Sequence, residues 1–242
     1  MTPRPIVLVH GSNHGGWCWQ RVAPLLGAAG HVVLTPTLTG LGDRADQLTP
    51  AVGLSTHIAD VVDLLEQQDL SDVLLVGHSY SGAVISGVAE RCAGRIARMV
   101  YLDAFVLRDG EALLDIEPPA SRQAFLEIAR EQGDGWRLPA QKDWLDRWGL
   151  TDPDDRRWVW EQLTDMPLLA STEPAALAAD AARSLPRSFL RLSDPQNPGL
   201  LPSIERARDE GCEMLEIKTG HDAMVSAPAE LAELLEQLAA RA

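Results

Sequence analysis

Cysteine is scarce in this chain of 242 residues. The three that it has, Cys18, Cys92 and Cys212, lie far apart, and none has a partner at CxxC spacing. An odd and scattered set of this kind excludes a disulfide framework and argues against a zinc or redox pair. We therefore expect a protein of the reducing cytoplasm that needs no metal ion and no other cofactor.

Basic residues are also few, since 21 Lys and Arg stand against 35 Asp and Glu, for a net charge of −14. This balance argues against nucleic acid and anionic membranes as partners, because both are bound through Lys and Arg. Apolar runs of the roughly 20 residues that a membrane helix needs are missing, and residues 6–9 are too short for a signal peptide. We expect a soluble cytoplasmic protein with a small-molecule partner; the oligomeric state, a homodimer included, stays open.

Short apolar runs alternate with helical patterns along most of the chain. Runs rich in Leu and β-branched residues predict buried strands of a parallel sheet. Such strands are predicted at 6–9, at 31–36, from Val73 to the stop at Gly77, and at 96–102, 188–192 and 213–218. Helices are predicted at 19–29, from a cap at Ser55, at 79–91, at 202–210 and from Pro228. The rhythm predicts an α/β fold whose mostly parallel sheet of about six strands is flanked by helices and binds ligands beyond the strand carboxyl ends.

The rhythm breaks between residues 108 and 185. Prolines punctuate short helical stretches there, and five of the seven tryptophans fall in this segment, at positions 136, 144, 148, 158 and 160. A single tryptophan at helical spacing usually packs in a core, but together these side chains suggest an apolar lid. We predict a core made of residues 1–107 and 186–242 and a helical cap of residues 108–185, inserted before the last two strands.

The turn at residues 77–82 carries the most informative motif. It places Ser79 directly after a buried strand, with Gly77 two residues before it and Ser81 and Gly82 after it. A nucleophile elbow needs small residues at these places because the strand-to-helix turn brings backbones close together. The usual second glycine is replaced by Ser81, and a plain glycine-rich turn is the alternative interpretation.

A histidine after the last predicted strand gives the elbow a candidate partner. His221 leaves the sheet on the same side as Ser79. Of the other histidines, His78 lies inside the elbow beside the serine, and the rest lie in the early loop or begin ordinary elements, at positions 10, 14, 31 and 57. A serine hydroxyl is a poor nucleophile until a histidine takes its proton, and a carboxylate must then orient the histidine. The chain order Ser, acid, His is met by both Asp103 and Asp194. We favour Asp103, because a carboxylate in its apolar surroundings is costly unless it is paired, and keep Asp194 as the alternative.

The first predicted strand ends in a glycine-rich loop, residues 10–17. Loops of this kind can hold phosphates, but neither GxGxxG nor GxxxxGK[ST] spacing is present. The alternative is an oxyanion loop, in which one backbone N–H comes from this loop and a second from the residue after the nucleophile.

Four segments together resemble the α/β-hydrolase group that contains plant methylesterases, hydroxynitrile lyases and their bacterial esterase relatives. They are HGSNHGGWCW (10–19), PTLTGLG (36–42), GHSY (77–80) and GHD (220–222). The resemblance implies Ser79 as nucleophile, His221 as base, and the backbone N–H groups of Ser12 and Tyr80 as oxyanion donors. Some haloalkane dehalogenases of this fold place their acid in a segment similar to residues 101–104, which supports Asp103.

The resemblance also helps to distinguish esterase activity from the other activities found in proteins of this fold. The lyases have a threonine where Gly11 stands and a lysine directly after the catalytic histidine, where this chain has Asp222. Dehalogenases and epoxide hydrolases need a carboxylate nucleophile, and Ser79 is not one. We therefore expect a serine esterase that cleaves a small hydrophobic carboxylic ester through an acyl-enzyme. Amide or carbamate cleavage by the same triad, and a hydrolase-fold receptor with little turnover, are the alternatives.

Overall fold

The computed structural model describes residues 3–178 and 180–241 and contains a six-stranded, all-parallel sheet in the order β2-β1-β3-β4-β7-β8. The strands are β1 (Pro5–Val9), β2 (Val32–Leu34), β3 (Val73–His78), β4 (Ile96–Leu102), β5 (Arg137–Leu138), β6 (Met166–Pro167), β7 (Arg187–Leu192) and β8 (Glu213–Ile217). This confirms the predicted α/β fold class, and residues 108–185 precede the last two strands of the large sheet. Strand β2 is shorter than the predicted 31–36.

Helices cover both faces of the sheet. They are α1 (Ala23–Ala28), α2 (Leu54–Gln67), α3 (Ser81–Cys92), α4 (Leu113–Ile116), α5 (Pro119–Gln132), α6 (Trp144–Arg147), α7 (Pro153–Trp160), α8 (Leu169–Thr172), α9 (Asp180–Arg183), α10 (Leu201–Asp209), α11 (Ala223–Ser226) and α12 (Pro228–Ala240). The beginning of α12 at Pro228 is as predicted, because proline suits the first turn of a helix.

Two helix predictions were wrong in detail. The helix predicted at 19–29 is a short 3₁₀ turn, Gly16–Trp19, followed by α1. The predicted cap Ser55 lies inside α2, whose N-cap is Gly53. The Thr56 hydroxyl accepts the Gly53 N–H at 3.3 Å, and the Ser55 N–H donates at 3.0 Å to the Glu173 carboxylate, which comes from a distant part of the chain. A tertiary contact therefore replaces the local cap.

The core lies in two apolar layers, one on each face of the sheet. Strand β3 shows the division, because Val73 and Leu75 face α2 and α3, whereas Leu74 and Val76 face α1 and α12. All four side chains are fully buried. A strand buried on both faces has no polar alternation, which is why its sequence is continuously apolar.

Residues 108–185 hold α4 to α9, apart from residue 179, and the small antiparallel pair of β5 and β6. The division into core and cap stays a prediction, and its residues 1, 2, 179 and 242 lie outside the described residues. No helix within residues 3–178 and 180–241 is long and apolar enough to cross a bilayer.

Candidate active site

Ser79 stands on a strained turn between β3 and α3. Its backbone φ is 54°, a left-handed value that residues with a side chain seldom adopt. A Cβ on Gly77 would strike the Ser81 backbone, and one on Gly82 would strike the Phe105 carbonyl oxygen. The backbone thus approaches closely at both glycines, which explains the predicted need for small residues there.

Ser81, the unusual residue of the elbow, has a contact of its own. Its hydroxyl donates a hydrogen bond to the carbonyl oxygen of His10, at the end of β1. A glycine at this position would lack that bond. The replacement of the usual glycine by serine therefore links the elbow to the glycine-rich loop.

His221 follows β8 and reaches Ser79 across the sheet. Its Nε2 lies 2.9 Å from Ser79 Oγ, and its Nδ1 lies 2.7 Å from Asp103 Oδ2. Because a carboxylate only accepts hydrogen bonds, Nδ1 carries the proton of the neutral ring and Nε2 accepts the Ser79 O–H. The backbone N–H of His221 donates to the Trp148 carbonyl at 2.8 Å, so the predicted cap segment helps to hold the histidine.

The two candidate acids differ sharply in position. Asp103 directly follows β4, is fully buried, and accepts the Leu192 N–H at 3.2 Å through its second oxygen. Asp194 is exposed, and its backbone N–H donates to the Thr219 carbonyl. The structure therefore brings Asp103, and not Asp194, to His221.

The predicted oxyanion donors flank the serine. Ser12 lines the same pocket as Ser79, and Tyr80 is the next residue along the chain. Neither backbone amide donates a hydrogen bond within the part of the chain that the structure describes. The Tyr80 hydroxyl lies 2.8 Å from His57 Nδ1, which draws that side chain away from the pocket. Two amides are thus left without acceptors beside Ser79.

A second buried cluster lies behind the histidine. His14 Nδ1 is 2.7 Å from the Ser12 carbonyl oxygen, and His14 Nε2 is 3.5 Å from Asp222 Oδ2. Burial disfavours a charged imidazole, but the Asp222 carboxylate outweighs it and raises the pKa of His14. Burial likewise opposes ionisation of Asp222, yet His14 lowers the pKa of that carboxyl. Sequence reasoning missed this pair, although the position of Asp222 directly after His221 was its signal.

The other buried histidines near the site are neutral. Burial, with His221 nearby, holds the pKa of His78 well below its usual range, and burial lowers the pKa of His10 to about 3. His78 Nε2 lies 2.9 Å from the His221 carbonyl oxygen and can donate to it. These rings support the backbone around Ser79 and His221.

The pocket over Ser79 is mostly apolar. Phe105, Phe125, Leu138, Trp144 and Trp148 line it. Of the predicted lid tryptophans, Trp144 and Trp148 belong to this wall, while the other three do not line the pocket. Polar residues that sequence reasoning did not place there also line it, namely Asn13, Glu117, Arg147, Ser171 and Asn197. In residues 3–178 and 180–241, no three His, Cys, Asp or Glu side chains form a group that could hold a metal ion.

The chain is similar in sequence and in fold to known proteins. A family model described as "Alpha/beta hydrolase family" covers residues 6–234, and the chain belongs to that family. The chain is 39% identical over 245 residues to the "Carbendazim hydrolyzing esterase" of Nocardioides sp. (strain SG-4G), with 96% of this chain and 98% of the relative covered. It is 37% identical over 102 residues to "Methylesterase 1" of Arabidopsis thaliana, which covers 41% of this chain and 39% of the relative.

A solved structure shows the same likeness. An extracellular alpha/beta-hydrolase from a Paenibacillus species superposes with a TM-score of 0.86 at 28% identity, covering 97% of this chain and 98% of the other. These relatives confirm the group that the sequence resembled. Within the family, the enzyme class of this chain is carboxylic ester hydrolase.

Proposed function

We propose that this protein is a serine esterase with Ser79 as nucleophile, His221 as general base and Asp103 as the acid that orients it. The observation that carries the proposal is the continuous chain of contacts from Ser79 Oγ through the His221 ring to Asp103, at 2.9 and 2.7 Å. Both distances lie within the range that proton transfer and ring orientation require.

The reaction follows from these contacts. His221 Nε2 takes the hydroxyl proton as Ser79 Oγ attacks the substrate carbonyl, and the Asp103 carboxylate stabilises the imidazolium that forms. The amides of Ser12 and Tyr80 bind the oxyanion. Collapse of the tetrahedral intermediate breaks the ester bond, and His221 gives its proton to the departing alcohol. Water then repeats the sequence on the acyl-enzyme and regenerates Ser79.

The substrate is a small, hydrophobic carboxylic ester. The wall of phenylalanine, tryptophan and leucine side chains over Ser79 supports this class, because apolar pockets bind chiefly through buried apolar area. A carbamate is the second candidate, supported by the relative named as a carbendazim hydrolyzing esterase, whose length matches this chain. Carbendazim is a methyl carbamate, and the same triad can attack its carbonyl.

Replacing the nucleophile tests the proposal. We expect Ser79→Ala to lower kcat/KM on p-nitrophenyl acetate by about 10⁴-fold or more and to abolish labelling by a fluorophosphonate probe, since no other group supplies the attacking oxygen. Ser55→Ala, at an exposed serine on α2, is the control and should retain both. Full esterase activity in Ser79→Ala would reject the assignment.

The acid is tested by a matched pair of substitutions. Asp103→Asn removes the charge beside His221 and favours the wrong ring tautomer, so we expect kcat to fall by about 10⁴-fold. Asp194→Asn changes an exposed carboxyl and should leave kcat within a factor of about two of the parent. Collapse of kcat in Asp194→Asn alone would make Asp194 the acid.

A further inference from the structure

One carboxyl group in the wall of the pocket has no partner. Glu117 directly follows α4 and lines the same pocket as Ser79 and His221. Neither of its oxygens forms a hydrogen bond or an ion pair with the residues that the structure describes, and Oε2 is fully buried. Buried polar groups are nearly always paired, so an orphan of this kind calls for an explanation.

The surroundings of Glu117 do not supply that partner. Its carboxyl packs against the backbone of Gly199, where a Cβ would lie 3.0 Å from Oε2 and 3.2 Å from Oε1. The charged or titratable groups that face it are Arg147 and His221, and neither pairs with it. Burial raises the pKa of Glu117 to about 7, which Arg147 and His221 only partly oppose. The group costs stability where it stands.

The other residues of the pocket wall indicate which group of a substrate would contact the Glu117 carboxyl. Phe105, Phe125, Trp144 and Trp148 present flat apolar surfaces suited to an aromatic ring. A positively charged group would be repelled by the Arg147 guanidinium and would lose its hydration against these rings. An uncharged donor, N–H or O–H, suffers neither penalty.

We propose that Glu117 is a specificity residue that accepts a hydrogen bond from an uncharged N–H or O–H donor carried by an aromatic ester or carbamate substrate. This inference rests on the proposed function of the site and narrows its substrate class. A substrate without the donor leaves this half-buried carboxyl unpaired, and sites that hydrogen-bond a substrate donor discriminate strongly against analogues that lack it.

The test compares matched substrates with and without the donor, and the intrinsic difference in reactivity within a set cancels when the parent is compared with the variant. The first set is the p-nitrophenyl esters of para-methylamino-, para-hydroxy- and para-methoxyphenylacetic acid, which offer N–H, O–H and no donor. The second is methyl N-phenylcarbamate against methyl phenyl carbonate, with the donor beside the carbonyl. The quantity compared is the donor ratio, which is kcat/KM for the substrate with the donor divided by kcat/KM for the substrate without it. We expect Glu117→Leu to lower this ratio by about 10- to 100-fold in at least one set. The first set also separates N–H from O–H recognition.

Two further variants sharpen the result. Glu117→Gln keeps an acceptor oxygen in a side chain of the same size, so it should retain most of the ratio. That result would show that the lowered ratio in Glu117→Leu does not come from misfolding. Glu127→Leu, at an exposed glutamate of α5, should leave the ratio unchanged. In the parent, the ratio should rise as pH increases through about 7, because the carboxylate accepts better than the protonated group, and it should stay flat in Glu117→Gln.

The ratio cancels any effect of pH on the catalytic steps that the two substrates of a pair share. Equal ratios in the parent and Glu117→Leu for both sets would overturn the proposal. Failure of the proposed function is recognised separately, because the parent would then not be labelled at Ser79 by the fluorophosphonate probe.

Discussion

At the scale of single residues, His14 and Asp222 form a buried ion-pair contact outside the proposed triad. Both side chains are almost completely buried; His14 Nδ1 lies 2.7 Å from the Ser12 carbonyl oxygen, and His14 Nε2 lies 3.5 Å from the Asp222 carboxylate. A ring between two acceptors is satisfied only when both nitrogens carry protons. The Asp222 carboxylate, 3.5 Å from His14 Nε2, outweighs burial and raises the pKa of His14, so this contact favours the charged imidazolium.

Removing the charge of either His14 or Asp222 should therefore lower the stability of the folded protein. We expect Asp222→Asn to lower the free energy of unfolding by about 3 kcal/mol, because a buried ion pair that loses one member leaves the other charge without compensation. Urea denaturation measures the change. Asp194→Asn, at an exposed aspartate, is the control and should stay within about 0.5 kcal/mol of the parent. An equally small change in Asp222→Asn would show that His14 is neutral in the native protein.

At the scale of elements, the junction of β3 and α3 depends on close backbone contact. Gly82 lies in the first turn of α3, where alanine would ordinarily be the better helix former. Here a Cβ would press on the Phe105 carbonyl oxygen and lie 2.9 Å from the Ala104 Cβ. Both neighbours belong to the segment after β4 that begins with Asp103. The helix can thus approach the strand ends only with glycine at this position.

Because of this contact, replacing Gly82 by alanine should have the opposite effect on stability from the same replacement in an ordinary helix. We expect Gly82→Ala to destabilise the protein by about 1–3 kcal/mol through overpacking. Gly27→Ala in α1 is the control, since a Cβ there meets nothing within 4 Å, and it should stabilise by up to about 1 kcal/mol. Thermal unfolding of both variants is the measurement. A melting temperature raised by Gly82→Ala would contradict the packing argument.

At the scale of the whole molecule, the predicted cap segment and the sheet build the pocket together. The Asn13 side chain donates to the carbonyls of Leu138 and Thr164 at 2.9 and 2.8 Å, and Trp148 accepts the His221 N–H. The loop beside the proposed oxyanion site and the histidine turn are thus both fixed by residues between 108 and 185. Residues 108–185 therefore supply both part of the pocket wall and some of the contacts that hold the proposed triad.

The sequence by itself determined the order of the six strands of the large sheet and the places of Ser79 and His221 after two of them, because apolar periodicity and turn chemistry are local properties of the chain. It favoured Asp103 over Asp194 but could not decide between them, since both meet the chain order. Only the tertiary structure decided which one contacts His221, because that contact joins residues 118 positions apart and depends on β4 lying beside β3 and β7. The contact of Asp222 with His14 and the lack of a partner for Glu117 could not be predicted either, because both depend on residues that lie far apart in the sequence.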